Sequence, residues 1–145
     1  MKEKLKCILL IDDDEPTNFL NKLVLKEMDC AEQIEVAQSG REAINFLTKP
    51  PANNQKDLQM PDLVFLDINM PAMDGWEFLD LYSVFNGQRK KKAVTIMLTT
   101  SLNPDDEIKS KNMEQVNGYR RKPLSKQMMQ EILDEYFPTL SASEN

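Results

Sequence analysis

The stretch whose reading decides the fold is Pro61-Asp62-Leu63-Val64-Phe65-Leu66-Asp67-Ile68-Asn69-Met70-Pro71-Ala72-Met73-Asp74-Gly75. Leu63 to Leu66 make an apolar run too short and too uninterrupted for a half-buried helix, and the bracketing Pro61 and Gly75 favour a strand buried on both faces. Asp67 follows that run directly. In open parallel sheets, ligands bind in the crevice at the carboxyl ends of the strands, so a carboxylate here stands where chemistry is done. A strand-end aspartate that merely caps a loop is the plainer alternative. The rest of the chain decides between them.

Downstream, Asp74 can cap a helix carrying Trp76, Phe78, Leu79, Leu81, Tyr82 and Phe85, closed by Asn86-Gly87. Ala93 to Leu98 reads as a strand running into Thr99-Thr100-Ser101, after which Asn103-Pro104 with Asp105, Asp106 and Glu107 opens a short polar helix. Gln115 to Arg121 is a further strand, broken by Lys122-Pro123. Ser125 then caps a last helix with Met128, Met129, Ile132, Leu133 and Tyr136, and a small polar tail starts at Pro138.

Upstream, Leu5 to Ile11 is an aliphatic strand that stops at Asp12-Asp13-Asp14-Glu15. Pro16 suits a first helical turn, and Phe19, Leu20, Leu23, Val24 and Met28 recur at helical spacing, which predicts a helix over roughly Pro16 to Met28. Ile34 to Ala37 is a short strand, and Ser39 caps a helix with Ala43, Ile44 and Leu47 on one face, ended by Pro50-Pro51. Residues 50–61 read as a long polar surface loop. Five strands alternating with five helices imply right-handed crossovers onto a parallel sheet covered on both faces, a doubly wound α/β three-layer sandwich.

At 145 residues the chain fits one domain, spanning 1–145 with its core over 5–137 and the polar tail over 138–145. A net charge of -6 argues against a nucleic-acid footprint and against a polybasic membrane patch, and the run Arg89 to Lys92 reads as a solvated loop. No apolar run approaches the roughly 20 residues of a membrane span, and the charges at Lys2, Glu3, Lys4 and Lys6 precede no long apolar core, so the expected location is cytoplasmic. Cys7 and Cys30 show no paired spacing and read as free thiols. The chain has no histidine, which removes histidine-based zinc sites and Ser-His or Cys-His nucleophile pairs. A histidine phosphodonor, if there is one, comes from another molecule.

A parallel sheet brings Asp12-Asp13, Asp67, Thr99 and Lys122, each at a strand end, to one edge. Three gathered carboxylates repel one another unless a cation shares the site, and the absence of soft ligands points to a hard, oxygen-ligated ion, Mg²⁺ most naturally. Lys122 adds a positive charge and Thr99 a hydroxyl. Phosphoryl transfer needs such a set: a nucleophilic oxygen at Asp67, a metal bridging it to the incoming group, and donors for the remaining oxygens.

The acidic pair Asp12-Asp13 after an aliphatic strand, Asp67 followed by Met70-Pro71 and Asp74-Gly75, Thr99 closing a strand, and Lys122-Pro123 together resemble the receiver domain of two-component response regulators, specifically the stand-alone, chemotaxis-type receivers. The resemblance covers nearly the whole chain. It implies a flavodoxin-like (βα)5 sheet with strand order 2-1-3-4-5, and a phosphoacceptor switch that is not an enzyme. By the same resemblance Asp67 is the phosphoacceptor, Asp13 a direct Mg²⁺ ligand, Asp12 a ligand through water, and the main-chain carbonyl of Asn69 a further ligand. Thr99 would bind the phosphoryl oxygen, Lys122 would pair with it, and Tyr119 would be the switch aromatic that turns inward as Thr99 moves. Thr100 stands where the family usually has a small residue, a departure that bears on access to the site.

Implied partners are a sensor histidine kinase or histidine phosphotransfer protein and a downstream protein target, with no nucleic acid or membrane, the chain being a monomer or weak dimer. The output surface would be the face around Lys109, Lys111, Tyr119, Arg121 and Lys126. Alternatives are a phosphate sink or intermediate relay, and a Mg²⁺-dependent phosphohydrolase, which generally wants a second Asp where Asn69 stands. A flavin module of the same topology would need a Gly/Ser/Thr-rich loop where Asp12 to Glu15 place four carboxylates.

Overall fold

Five strands form, β1 (Leu5–Ile11), β2 (Ala31–Ala37), β3 (Leu63–Asp67), β4 (Val94–Thr99) and β5 (Gly118–Arg121), of which β1, β3 and β4 are the mainly apolar runs. All pair in parallel in the order β2-β1-β3-β4-β5, the expected doubly wound sheet. The computed structural model describes residues 4–48, 61–87, 92–100 and 103–142. The long loop expected before β3, apart from Pro61, lies outside the described residues, as do Arg89 to Lys91, Ser101 and the last residues of the expected tail.

The helices are α1 (Glu15–Met28), α2 (Gly40–Thr48), α3 (Gly75–Gly87), α4 (Pro104–Lys111), α5 (Lys126–Tyr136) and α6 (Pro138–Ala142). Alternate residues of β3 serve opposite faces of the sheet, as the pleat requires. Val64 and Leu66 join Leu9, Ile11 and Met97 against Phe78, Leu79 and Tyr82 of α3 and Ala43 and Leu47 of α2. Leu63 and Phe65 join Ile8, Leu10, Ile96 and Leu98 against Leu25 of α1 and Met129, Ile132 and Leu133 of α5. Every residue of β3 is buried, so β3 is the spine of both cores.

The start of α3 is a reciprocal cap: the Glu77 N–H donates to Asp74 Oδ1 at 2.9 Å and the Asp74 N–H to Glu77 Oε1 at 3.3 Å. Ser125 caps α5 through the Met128 N–H, as expected. The polar tail is in part a sixth helix, with Leu140 packed against the second core. β2 starts at Ala31, earlier than expected, because Ala31 pairs with Leu5 at the start of β1. β5 starts at Gly118, later than expected, because Asn117 still belongs to the turn, its N–H on the Thr95 carbonyl at 2.8 Å.

α1 departs from its sequence reading in orientation. Phe19, Leu20 and Leu23 are 65%, 54% and 44% exposed, and the buried residues of the helix are Asn18, Asn21 and Leu25. A surface apolar stripe has the same helical period as a core stripe, so spacing alone cannot tell them apart. The buried Asn18 amide is bonded to the end of β1, which fixes the rotation of the helix and leaves the stripe outward. Among the described residues, no helix is long and apolar enough to cross a membrane.

Candidate functional site

Asp12 continues the line of β1, its N–H donating to the Ala37 carbonyl at 3.1 Å. Its carboxylate is buried and doubly held, Oδ1 by the Asp14 N–H at 2.9 Å and Oδ2 by Lys122 Nζ at 2.5 Å. Asp13, next in the turn, is exposed. Asp14 caps α1, accepting from the Thr17 hydroxyl and from the Thr17 N–H, and those bonds hold its carboxyl below the usual range. Asp14 therefore belongs to the helix and not to the site.

Asp67 is the last residue of β3, between β1 and β4, and is 6% exposed. Burial, and after it the nearby charge of Asp12, push its pKa up to about 6 against the pull of Lys122. Asp12, Asp13 and Asp67 each offer an oxygen within 4.8 Å of the others. Lys122 Nζ reaches into this group, 3.2 Å from Asp67 Oδ1 as well as bonded to Asp12. Burial alone would lower the Lys122 pKa, but the hydrogen bond and charge of Asp12, with those of Asp67, outweigh it and raise the pKa. Lys122 is positioned through its backbone, whose N–H donates to the Thr99 carbonyl at 2.7 Å, at a cis bond to Pro123. Thr99 itself is buried at the end of β4.

The loop after β3 is tightly drawn. Gly75 donates to the Ile68 carbonyl at 2.8 Å, and a Cβ on Gly75 would stand 2.7 Å from the Asp67 carbonyl oxygen, so only glycine lets α3 start this close to the strand end. Ala72 takes φ 68, a left-handed conformation costly for alanine, while Met73 N–H closes onto the Pro71 carbonyl at 2.7 Å. Met73 Sδ packs where a Cβ on Gly40 would sit, tying the loop to the start of α2. Asn69 is exposed, and its N–H donates to the Asp67 carboxylate.

Asp12, Asp13, Asp67 and Lys122 are thus brought together as expected, with Thr99 joined through the Lys122 backbone. Tyr119 stands apart from the carboxylates, half-buried on β5, its hydroxyl accepting from the Asn103 N–H at 3.3 Å. Thr100 is exposed and borders a groove of about 250 Å³ with Thr17, Leu20, Asn21, Lys122 and Pro123. Asn18, which sequence reading does not single out, donates from Nδ2 to the Asp12 carbonyl at 2.8 Å. An all-oxygen set with one exposed and two buried carboxylates suits a hard divalent cation, and the Asp67 pKa is raised first by burial and then by the charge of Asp12.

The chain matches the Response regulator receiver domain family over residues 8–134. The response regulator Rcp1 of Synechocystis is 32% identical over 117 residues, 81% of this chain and 76% of that protein. The chemotaxis protein CheY of Halobacterium salinarum is 27% identical over 131 residues, 90% of this chain and 95% of its own length. A two-component response regulator from Cytophaga hutchinsonii has a crystal structure that superposes with TM-score 0.81 at 32% identity, covering 94% of this chain and 99% of that one. Receiver domains bind Mg²⁺ at an acidic pocket, take phosphate from histidine kinases and act as phosphoacceptor switches. With that match over most of its length, and an acidic cluster at the strand ends, the chain belongs to the response regulator receiver domain family and serves phosphorelay signalling in two-component systems.

Proposed function

We propose that Asp67 accepts a phosphoryl group from a phosphohistidine of a partner kinase or phosphotransfer protein. The observation that carries this is the placement of Asp67: buried at the end of the central strand, raised to a pKa of about 6, yet 3.2 Å from a lysine and within a cluster of three carboxylates. At neutral pH it is mostly ionised and is a poorly compensated nucleophile. Asp13, Asp12 at one remove, Asp67 and the Asn69 carbonyl would hold Mg²⁺, which when bound offsets the charge of the incoming phosphoryl group. Asp67 Oδ attacks phosphorus as the bond to the histidine nitrogen breaks, Lys122 moves from Asp67 to the new phosphoryl oxygens, and the Thr99 hydroxyl donates to another. One aspartyl phosphate forms for each donor spent, and the chain acts as a phosphoacceptor switch that at most catalyses its own phosphotransfer and dephosphorylation.

The donor is expected to dock over α1. Phe19, Leu20 and Leu23 form an apolar stripe on its outer face, and Leu20 also borders the groove that reaches Lys122 and Pro123. Output would use the face of α4, β5 and α5, around Lys109, Lys111, Tyr119, Arg121 and Lys126. Tyr119 links that face to the loop after β4 through Asn103, so a shift of Thr99 toward the phosphoryl group is felt there. The chain would work in the cytoplasm as a monomer or weak dimer in a single domain.

Acetyl phosphate with Mg²⁺ tests the acceptor: one acid-labile phosphate is expected on the wild type and none on Asp67→Asn. Stoichiometric labelling of that variant at another residue would sink the assignment. Amide NMR shifts with beryllofluoride, a phosphoryl mimic, separate a switch from a sink. A switch moves Tyr119 and α5, whereas changes confined to the neighbours of Asp12 and Asp67 leave only a sink.

A further inference from the structure

α1 turns two amides inward and an aromatic outward. Asn18 and Asn21 are buried while Phe19 and Leu20 face solvent, although adjacent residues are only about 100° apart around a helix, so a modest rotation would bury Phe19 in place of Asn18. The Asn18 side-chain oxygen, moreover, has no hydrogen-bond partner among the described residues. Burying an amide half-paired and exposing a phenyl ring both work against stability. The arrangement therefore calls for a reason outside packing.

That reason lies in what the other end of the amide holds. Three polar atoms of Asp12 are bound elsewhere: its N–H to Ala37, Oδ1 to the Asp14 N–H, and Oδ2 to Lys122. Asn18 Nδ2 takes the fourth, the main-chain carbonyl, at 2.8 Å. That carbonyl lies in the plane of the Asp12–Asp13 peptide, so fixing it fixes the plane and with it the point from which the Asp13 side chain departs. Asp13 is exposed, and its carboxylate offers an oxygen within 4.8 Å of those of Asp12 and Asp67. We infer that Asn18 is a positioning residue for the metal site: by holding the Asp12–Asp13 peptide plane it presents the Asp13 carboxylate to the cation that Asp67 shares. The inference rests on the reading of the acidic cluster as a metal site.

Mn²⁺ alone is the probe, with free ion counted by electron paramagnetic resonance, beside thermal unfolding without metal. Asn18→Leu keeps the volume and removes the donor. Loss of outer partners commonly weakens metal binding about 10–100-fold, and the lower end applies because this bond acts through a peptide. About tenfold weaker binding, with a metal-free melting temperature held or raised, is expected. Affinity within twofold of wild type would overturn the inference, as would a loss of affinity accompanied by a lower metal-free melting temperature, which marks a packing role. Should Asn18→Leu fail to fold, Asn18→Ala answers on affinity alone, by the same twofold criterion. Asp13→Ala keeps the two readings apart. If it abolishes binding while Asn18→Leu leaves it intact, only the role of Asn18 falls; if it binds as wild type does, the metal-site reading itself falls.

Discussion

Asp67→Asn is expected to stabilise the metal-free protein while silencing it. The wild-type carboxylate is buried beside Asp12, and its pKa rises from 3.8 to about 6. The sign follows from proton binding: between these two values the folded state holds a proton that the unfolded state has lost, so wild-type stability falls as pH rises from about 4 to about 6. A shift of about two units corresponds to at most roughly 3 kcal/mol, lost as pH rises through about 6. Asparagine, close in shape to the protonated acid, carries no such loss. The variant should therefore gain up to roughly 3 kcal/mol at pH 7.5, which for a chain of this size is on the order of 6–12 °C in melting temperature, and gain little at pH 4. Urea titrations of both proteins from pH 4 to pH 8 without divalent metal give the comparison. A variant no more stable than wild type at pH 7.5, or a gain equally large at pH 4, would refute the reasoning. Added Mg²⁺ should narrow the gap, since it stabilises the wild type by binding its folded state.

Three further outcomes are expected. Asp13→Ala should lose Mg²⁺ binding and labelling by acetyl phosphate, with metal-free stability unchanged or higher, as calorimetry and labelling together would read. Phe19→Ala should weaken phosphotransfer from a protein donor about tenfold or more, as loss of an exposed aromatic anchor does, and leave labelling by acetyl phosphate at the wild-type rate. Ala72→Gly should relieve the left-handed φ of 68 and raise stability by up to about 1 kcal/mol in urea titration, because the gain exceeds the added freedom of the unfolded chain.

The central strands β1, β3 and β4 were legible because parallel strands buried on both faces write themselves as mainly apolar runs, and the acids that end β1 and β3 stand out against them. The edge strands β2 and β5, only half-buried and rich in charge, gave a weaker signal and misplaced starts. Asp12, Asp13, Asp67 and Lys122 meet simply because parallel strands end on one edge. The orientation of α1 was not legible, since Phe19, Leu20 and Leu23 repeat with the same period whether they face the core or solvent. Asn18 escaped for a related reason: its bond to the Asp12 carbonyl joins side chain to backbone across a turn, and no residue pattern marks such a bond. The helix at Pro138–Ala142 is short and polar, and what holds it is the packing of Leu140, a contact visible only in three dimensions.

Lys122, lodged between Asp12 and Asp67, gives the site a resident cation of its own. Lys122 offsets part of the carboxylate charge by itself, so the chain is expected to fold without magnesium, at some cost in stability. Metal supply then governs readiness and not survival: a starved population would stay intact but deaf to its donor, and would answer again on replenishment without new synthesis.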